Sequence, residues 1–359
     1  MAQTLSSPTK NLLILPTVEK LEEGSAKETK SLTGYLNDNV NGMETETKPQ
    51  FPVILETNGY VGIDTIQEQI RKRVVKQGYQ FNILVVGASG LGKSTLIDTL
   101  FRSEVSRKID NDEYKVPVTT QINTVGHVIE EKGMTLRLTI TDTPGFGDNV
   151  NNDKCWIPIV EYIEAQYEKY LIEEQCIIRK KIIPDSRIHC CLYFIAPTGH
   201  SVKELDLQVM KHLDKCVNLI PIIAKADTLT LEERVSFKRR IKKDLAKHGI
   251  VVYSTHDGER EFNDAELDKK IRDMMPFAVV GSRNQYPLNN RNVLGRRTQW
   301  GLVEVENRSH CEFADLRDML IRTHMHDLVQ VTSSIFYEKF RLEQLSQTNG
   351  QSKVDESSL

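Results

Sequence analysis

The sequence lacks any uninterrupted apolar run approaching the roughly 20 residues that a transmembrane helix requires, so a helical integral membrane protein is not expected. It also lacks a positively charged start followed by an apolar core, and no secretory signal is expected. Cysteine is sparse: Cys155, Cys176, Cys190, Cys191, Cys216 and Cys311 show neither C-x-x-C nor a disulfide-like spacing. Reduced, mostly buried thiols in the cytosol are the expectation. Neither sign of charge dominates, since 47 Lys and Arg face 50 Asp and Glu for a net charge of -3. Without a domain-wide basic surface, no nucleic-acid partner is expected. What remains, 359 residues at 39% hydrophobic, suffices for one large domain with appendages or two small ones.

The stretch from Phe81 to Phe101, FNILVVGASGLGKSTLIDTLF, organises the rest. Its apolar run Ile83 to Val86 reads as a buried parallel strand. It ends in Gly87, Ala88, Ser89, Gly90, Leu91, Gly92, Lys93 and Ser94, the G-x-x-x-x-G-K-[ST] phosphate loop, and an apolar helix starting with Ser94 and Thr95 follows. Backbone N–H groups converging at a helix start suit phosphate, because the positive end of the helix dipole lies there. Lys93 is expected on the β- and γ-phosphates and Ser94 on Mg²⁺. A chance match in a glycine-rich turn would not carry the flanking strand and helix.

Two further motifs follow in order. Residues His127 to Gly133 and Met134 to Thr141 read as a β-hairpin, with Leu136, Leu138 and Ile140 pointing inward, and it delivers Asp142-Thr-Pro-Gly145 to a strand end. Asp142 would serve the metal through water, and Gly145 would offer its N–H to a γ-phosphate. Alone, D-T-P-G is an ordinary turn. Val217 to Ala224 reads as a strand ending in Lys225-Ala-Asp227. A carboxylate there can accept both the N1–H and the N2–H₂ of guanine, a donor pair adenine lacks, while the Lys225 stem covers the base plane. The carboxylate disfavours a phosphate-loop ATPase or kinase. The strand Phe277 to Gly281 closes the core, and Gly281 allows close backbone approach to the base.

Between these motifs, helices are expected at Ile157 to Glu174, through Ile157, Val160, Ile163, Tyr167 and Leu171, and at Lys203 to Leu213, with strand His189 to Ile195 between them. Thr230 to Glu233 is a capping box for a long helix closing at Gly249. Its outer cations Lys238, Arg239, Arg240, Lys242 and Lys243 read as a solvated face. This rhythm predicts an α/β, doubly wound sheet with helices on both faces, and the three motifs in order make it a phosphate-loop GTPase sheet of the Ras-like kind. Where Ras-like GTPases place a water-orienting Gln after the D-x-x-G turn, this chain has Phe146. Turnover is therefore expected to be slow, with Thr119 in the mobile-looking segment 103–118 and its continuation as the candidate to close on Mg²⁺ and the γ-phosphate, and Thr120 as its competitor.

Residues 1–58 read as a flexible tail, with apolar snatches at Leu12 to Leu15 and Pro52 to Leu55 that sustain no period. Residues 59–78 hold a basic helix over Ile63 to Lys76, with Ile63, Ile66, Ile70 and Val74 on one face and Arg71, Lys72, Arg73 and Lys76 near its end. It is either an anionic-lipid or acidic-partner surface or a solvated helix whose cations favour its own C-terminus. Phe313, Leu316 and Leu320 predict a packed helix from Glu312 to Leu328; His324 and His326, two apart, fall on different faces and form no metal site.

The combination GASGLGKS, DTPGFGD and AKAD, followed by GRRTQWGLVEVENRSHCEFADLRDMLI from Gly295 to Ile321, resembles the septin family. The last stretch resembles the septin unique element, a C-terminal hairpin and helix placed at about 290–345 within a GTPase domain spanning 79–345, and Gly295 and Gly301 bracket the expected hairpin. NNDKCW, HCCLYFIAPTGHS and AKADTLTLEER are most similar to the animal subgroup without a C-terminal coiled coil, in keeping with a short polar tail at 346–359. The resemblance implies GTP or GDP with Mg²⁺ as cofactors. Gly87 to Ser94 would hold the phosphates, Ser94 and Thr119 the Mg²⁺, Gly145 the γ-phosphate side, and Lys225, Asp227, Glu233, Gly281 and Arg296 the guanine and ribose. It implies Thr119 as the catalytic threonine, and a subunit interface across the nucleotide that includes His200, Glu233 and Trp300. On residue type alone, His200 would be a surface residue and Trp300 core. A slowly hydrolysing filament protein is implied, pairing with itself and other septins. It would work in the cytoplasm, in cytokinesis and at membranes of the cleavage furrow. The competing reading is a monomeric signalling switch.

Overall fold

The computed structural model describes residues 62–63, 65–101, 122–145, 154–253, 262–288 and 291–355. The N-terminal segment, Thr119, Thr120 and Phe146 lie outside the described residues.

Among the described residues, six strands form one sheet in the order β2-β3-β1-β4-β5-β6. They are β1 (Tyr79–Gly87), β2 (Asn123–Glu131), β3 (Met134–Asp142), β4 (Cys190–Ile195), β5 (Leu219–Ile223) and β6 (Phe277–Ala278). The expected hairpin is β2–β3, antiparallel, with β2 on the sheet edge; β1 pairs in parallel with both β3 and β4. Strands β4 and β5 are buried along their whole length and β1 from Phe81 onward, matching their unbroken apolar runs. Edge strand β2 instead alternates between half-buried and exposed positions along most of its length. The parallel strands bring their C-terminal ends, where ligands bind in such sheets, to one rim. The sheet order reverses beside β1, the strand that carries the phosphate loop.

Helix α1 (Thr65–Gln77) leads into β1, and α2 (Lys93–Phe101), α3 (Ile157–Gln175), α4 (Glu204–Leu213), α5 (Leu231–His248) and α6 (Phe262–Met274) lie between the strands. In α3 the buried face is Ile159, Ile163, Tyr167 and Leu171, while Ile157 stays exposed at its first turn. The capping box of α5 forms as expected: Thr230 Oγ1 accepts from Glu233 N at 3.3 Å and the Glu233 carboxylate accepts from Thr230 N at 2.9 Å. The helix closes at Gly249 with φ 66°. The basic face of α5 is not simply solvated. Lys238 donates to both oxygens of Glu312 at 2.6 and 2.8 Å and to Met274 O at 2.6 Å. The Glu312 carboxylate in turn accepts from Ala278 N at 2.7 Å. Because Glu312 N also donates to Ala278 O at 2.8 Å, one acidic residue and its lysine finish the polar edge of β6, satisfying groups a neighbouring strand would otherwise pair.

The strand expected over Phe277 to Gly281 is strand at Phe277–Ala278; Val279 still bonds to Ile223 O and Ala226 N, and Gly281 then lies against α2. The hairpin anticipated between Gly295 and Gly301 is present: β7 (Gln285–Leu288), β8 (Arg291–Thr298) and β9 (Gly301–Glu304) form a separate antiparallel sheet. The helix expected from Glu312 to Leu328 is interrupted. Short helices α7 (Phe313–Arg317) and α8 (Met325–Val331) alternate with wide turns at Asp318–Thr323 and Thr332–Tyr337, and α9 (Glu338–Asp355) carries helix well into the stretch read as a tail. Phe313, Leu316 and Leu320 are buried in the core as expected. His324 pairs with Asp268 at 3.1 Å, whereas His326 meets the Tyr79 hydroxyl at 2.7 Å. Helix α1 has no buried residue; of its apolar face Ile63, Ile66 and Ile70 are exposed and Val74 is half-buried, so most of that face is not packed on the domain.

Candidate functional site: a nucleotide cleft at the strand ends

Strand β1 ends at Gly87, and the loop from Ala88 to Gly92 leads into α2, whose first residue is Lys93. The buried Lys93 ammonium donates to Gly87 O at 3.0 Å and Ala88 O at 3.1 Å, so the lysine is held across the inside of the loop. Ideal Cβ atoms built on Gly90 and Gly92 would meet nothing within 4 Å. The loop is therefore an open concavity rather than a packed turn, a fit for phosphate at a helix start. Ser94 Oγ donates to Asp142 Oδ2 at 3.1 Å. This joins the two expected metal-side oxygens, hard donors that suit Mg²⁺.

The D-x-x-G turn rests directly on the loop. Thr143 donates to Val85 O through both its N–H (3.2 Å) and its hydroxyl (2.9 Å). A Cβ on Gly145 would approach Ser89 N to 2.5 Å and Ser89 Cα to 2.6 Å. No larger residue fits there without moving one of the two phosphate-facing segments, which is the physical reason for glycine at this position.

A cavity of ≈ 360 Å³ opens beside the loop, between Leu91, Gly92 and Thr95 on one side and Lys225, Val279 and Arg296 on the other. Lys225 adopts a left-handed backbone, φ 48° and ψ 47°, a conformation that costs a non-glycine residue of order 1–3 kcal/mol and occurs preferentially at functional sites. Asp227 is only 3% exposed at its side chain, and its Oδ1 accepts from Arg296 Nη1 at 3.3 Å. A buried acceptor carboxylate beside a cavity lined by a lysine stem is what guanine requires. Gly281 lines the same cavity, but the reason for glycine differs from the one read in the sequence. A Cβ there would meet Leu96 Cα at 3.0 Å and Leu96 N at 3.1 Å, so it is helix α2 that demands the absence of a side chain.

The structure thus brings together residues 87–95 with Asp142, Gly145, Lys225, Asp227, Gly281 and Arg296, all at the C-terminal ends of β1, β3, β5 and β6 and on the adjoining β8. Glu233 is exposed and its carboxylate is engaged in the capping box. His200 is exposed on the loop after β4, and Trp300, at the tip of β8–β9, is 83% exposed, which overturns its reading as core. Arg71, Lys72, Arg73 and Lys76 are exposed on α1, before the start of β1, and Lys72 lies 3.8 Å from Glu68. Sequence reasoning missed Arg283, Asn284 and Ser282 of the cavity wall; the polar run after the last core strand was the only local signal. Among the described residues, no group of His, Cys, Asp and Glu is arranged to hold a metal by itself, so Mg²⁺ here would depend on Ser94, Asp142 and the phosphates.

A family model described as Septin matches residues 77–354. The chain is 56% identical over 306 residues to neuronal-specific septin-3 of Bos taurus, an alignment covering 84% of this chain and 86% of that protein. It is also 56% identical over 291 residues to septin-9 of Homo sapiens, covering 80% of this chain and 50% of that longer protein. Among solved structures, the septin GTPase domain from Chlamydomonas reinhardtii matches with a TM-score of 0.57 at 27% identity, over 74% of this chain and 98% of that one.

Proposed function

The chain belongs to the septin family of GTP-binding, GTP-hydrolysing cytoskeletal proteins, and from that premise we propose that it is a filament subunit whose bound guanine nucleotide stabilises a contact between protomers. In this reading Lys93 and the loop N–H groups hold the phosphates, Gly145 offers its N–H to the γ-phosphate, and Asp227 and Lys225 select and cover the base. Ser94 and Asp142 would hold Mg²⁺, Asp142 through water; the ion would neutralise charge on the phosphates. Glu233 would face the ribose side and the partner while it caps α5. Thr119 carries slow hydrolysis. Its partners would be further copies of this chain and other septins, in cytoplasmic filaments that serve cytokinesis and membrane-associated scaffolding. The cations of α1 would meet anionic lipid. Among the described residues no helix is long and apolar enough to cross a membrane.

The observation that carries the interface is Trp300. A tryptophan this exposed is an interface anchor by type, and it sits on the hairpin whose Arg296 reaches Asp227. Light scattering tests it. With GDP the protein is expected as a dimer or larger, and Trp300→Ala as a monomer with nucleotide retained. A wild-type protein that is strictly monomeric with GDP and with a non-hydrolysable GTP analogue would favour the signalling switch instead.

A further inference from the structure

The cavity wall after β6 is joined to α2 at three successive residues. Gly281 lies against the backbone of Thr95 and Leu96, at an ideal Cβ distance of 3.0 Å from Leu96 Cα. Ser282 N donates to the Thr99 hydroxyl at 3.1 Å, and the single hydroxyl proton is shared between Thr95 O at 2.6 Å and Ser282 O at 3.1 Å. Arg283 then reaches Asp98, with Nε and Nη2 both on Oδ2 at 2.7 and 2.5 Å. The Asp98 side chain is 5% exposed and that of Arg283 40%, so a nearly buried carboxylate holds a cation whose other face lines the cavity. Little more than one turn earlier in the same helix stand Lys93 and Ser94.

We propose that Asp98 and Arg283 are a positioning pair for the nucleotide: their ion pair locks the base-side wall to the phosphate-loop helix, so that both ends of the ligand are gripped by one rigid unit. The inference rests on the guanine-nucleotide reading of the same cavity and adds to it residues that touch neither the reacting phosphate nor the base edge. The geometry explains why the pair would govern retention. Beyond the two strand residues of β6, Val279 is still held by the sheet, its N–H donating to Ile223 O at 3.0 Å and its O accepting from Ala226 N at 3.1 Å; residues 281–283 then take their hold on α2 from this line of contacts. The line also continues outward. Ser282 Oγ donates to Gly295 O at 2.5 Å and Gly295 N donates to Asn284 O at 3.0 Å, which ties the same wall to β8 and to Arg296.

Stopped-flow dissociation of a fluorescent GDP analogue from the full chain tests the pair. Arg283→Ala is expected to release nucleotide about tenfold faster, a loss of about 1.4 kcal/mol, because it removes the guanidinium from a carboxylate that stays buried. Arg283→Lys should recover part of the retention. The doubly neutral Asp98→Asn with Arg283→Gln should dissociate more slowly than Arg283→Ala, since no buried charge then remains, an ordering that simple loss of a wall residue would not produce. Lowered melting temperature with unchanged dissociation would overturn the proposal, as would equal rates in Arg283→Ala and the double variant. A wild-type chain that binds no guanine nucleotide would overturn both this inference and the reading beneath it, whereas wild-type binding with an unchanged Arg283→Ala overturns this inference alone.

Discussion

At the scale of single residues, the site works by placing strong groups where their ordinary alternatives are closed off. Lys93 is held inside the phosphate loop by two carbonyls, Lys225 is bent into a left-handed turn, and Asp227 is kept out of water with a guanidinium beside it. The hydrolytic step has the sparest equipment. Phe146 takes the place after the D-x-x-G turn, and a phenyl ring cannot hydrogen-bond water. Thr119→Gly is therefore expected to bind GTP normally while single-turnover hydrolysis falls on the order of 10²-fold, the scale of losing one positioned polar group. Undiminished turnover in that variant would move the role to Thr120 or another group. Loop, turn and base motifs were legible because each is a local string whose chemistry is local. The ion pairs Asp98 with Arg283 and Lys238 with Glu312 were not. Their partners are 185 and 74 residues apart, and only the fold makes them neighbours.

At the scale of elements, the far end of the sheet from the nucleotide is held by a cluster around Asp185. Its carboxylate accepts from Arg187 at 2.8 Å and approaches His189 at 3.2 Å, while its N–H donates to the Gln80 side chain. The Arg187 guanidinium lies 4.0 Å from the Tyr170 ring and 4.9 Å from that of Tyr337, and it donates to Ser333 at 3.2 Å. The start of β4, helix α3 and the wide turn before α9 are thus fastened at one point. Burial by itself would raise the Asp185 carboxyl, but the hydrogen bonds from Arg187 and His189 and the charge of Arg187 outweigh it and hold the group well below the usual carboxylate range. A carboxyl lowered in the folded state adds stability that is complete at neutral pH. That stability is lost as pH falls below about 4, the unfolded-chain value, towards the folded one. Asp185→Asn is expected to cost about 3 kcal/mol in denaturant unfolding at pH 7 and to flatten the acid limb; equal stability and an unchanged acid limb would contradict it. The sequence offered little sign of this cluster. Nor did it betray the wide turns at Asp318–Thr323 and Thr332–Tyr337; before the second, Leu328 O accepts from Asn218 Nδ2 at 3.1 Å, a partner 110 residues away that only the fold supplies. The capping box and the β2–β3 hairpin were plain in the sequence, since their signals are a fixed spacing and a two-residue alternation.

At the scale of the whole molecule, nucleotide cleft and basic helix lie apart, the first at the C-terminal ends of the strands and the second before β1 begins. Helix α1 presents Arg71, Lys72, Arg73 and Lys76 together with exposed Ile66 and Ile70, a composition suited to an anionic interface. Replacing the four cations with Glu is expected to abolish sedimentation with phosphatidylserine vesicles, since each cation near such a surface contributes about 1 kcal/mol. Nucleotide binding should be untouched. Unchanged sedimentation would mean that α1 is a solvated or protein-facing helix.

One guanine nucleotide is expected to sit in this cleft, and denaturing the freshly purified protein and identifying what it releases by anion-exchange chromatography tests this without further assumptions. GDP or GTP at close to one per chain is the predicted result. Adenine nucleotide, or a protein that releases none and binds GTP and ATP equally on reconstitution, would contradict the account at Asp227.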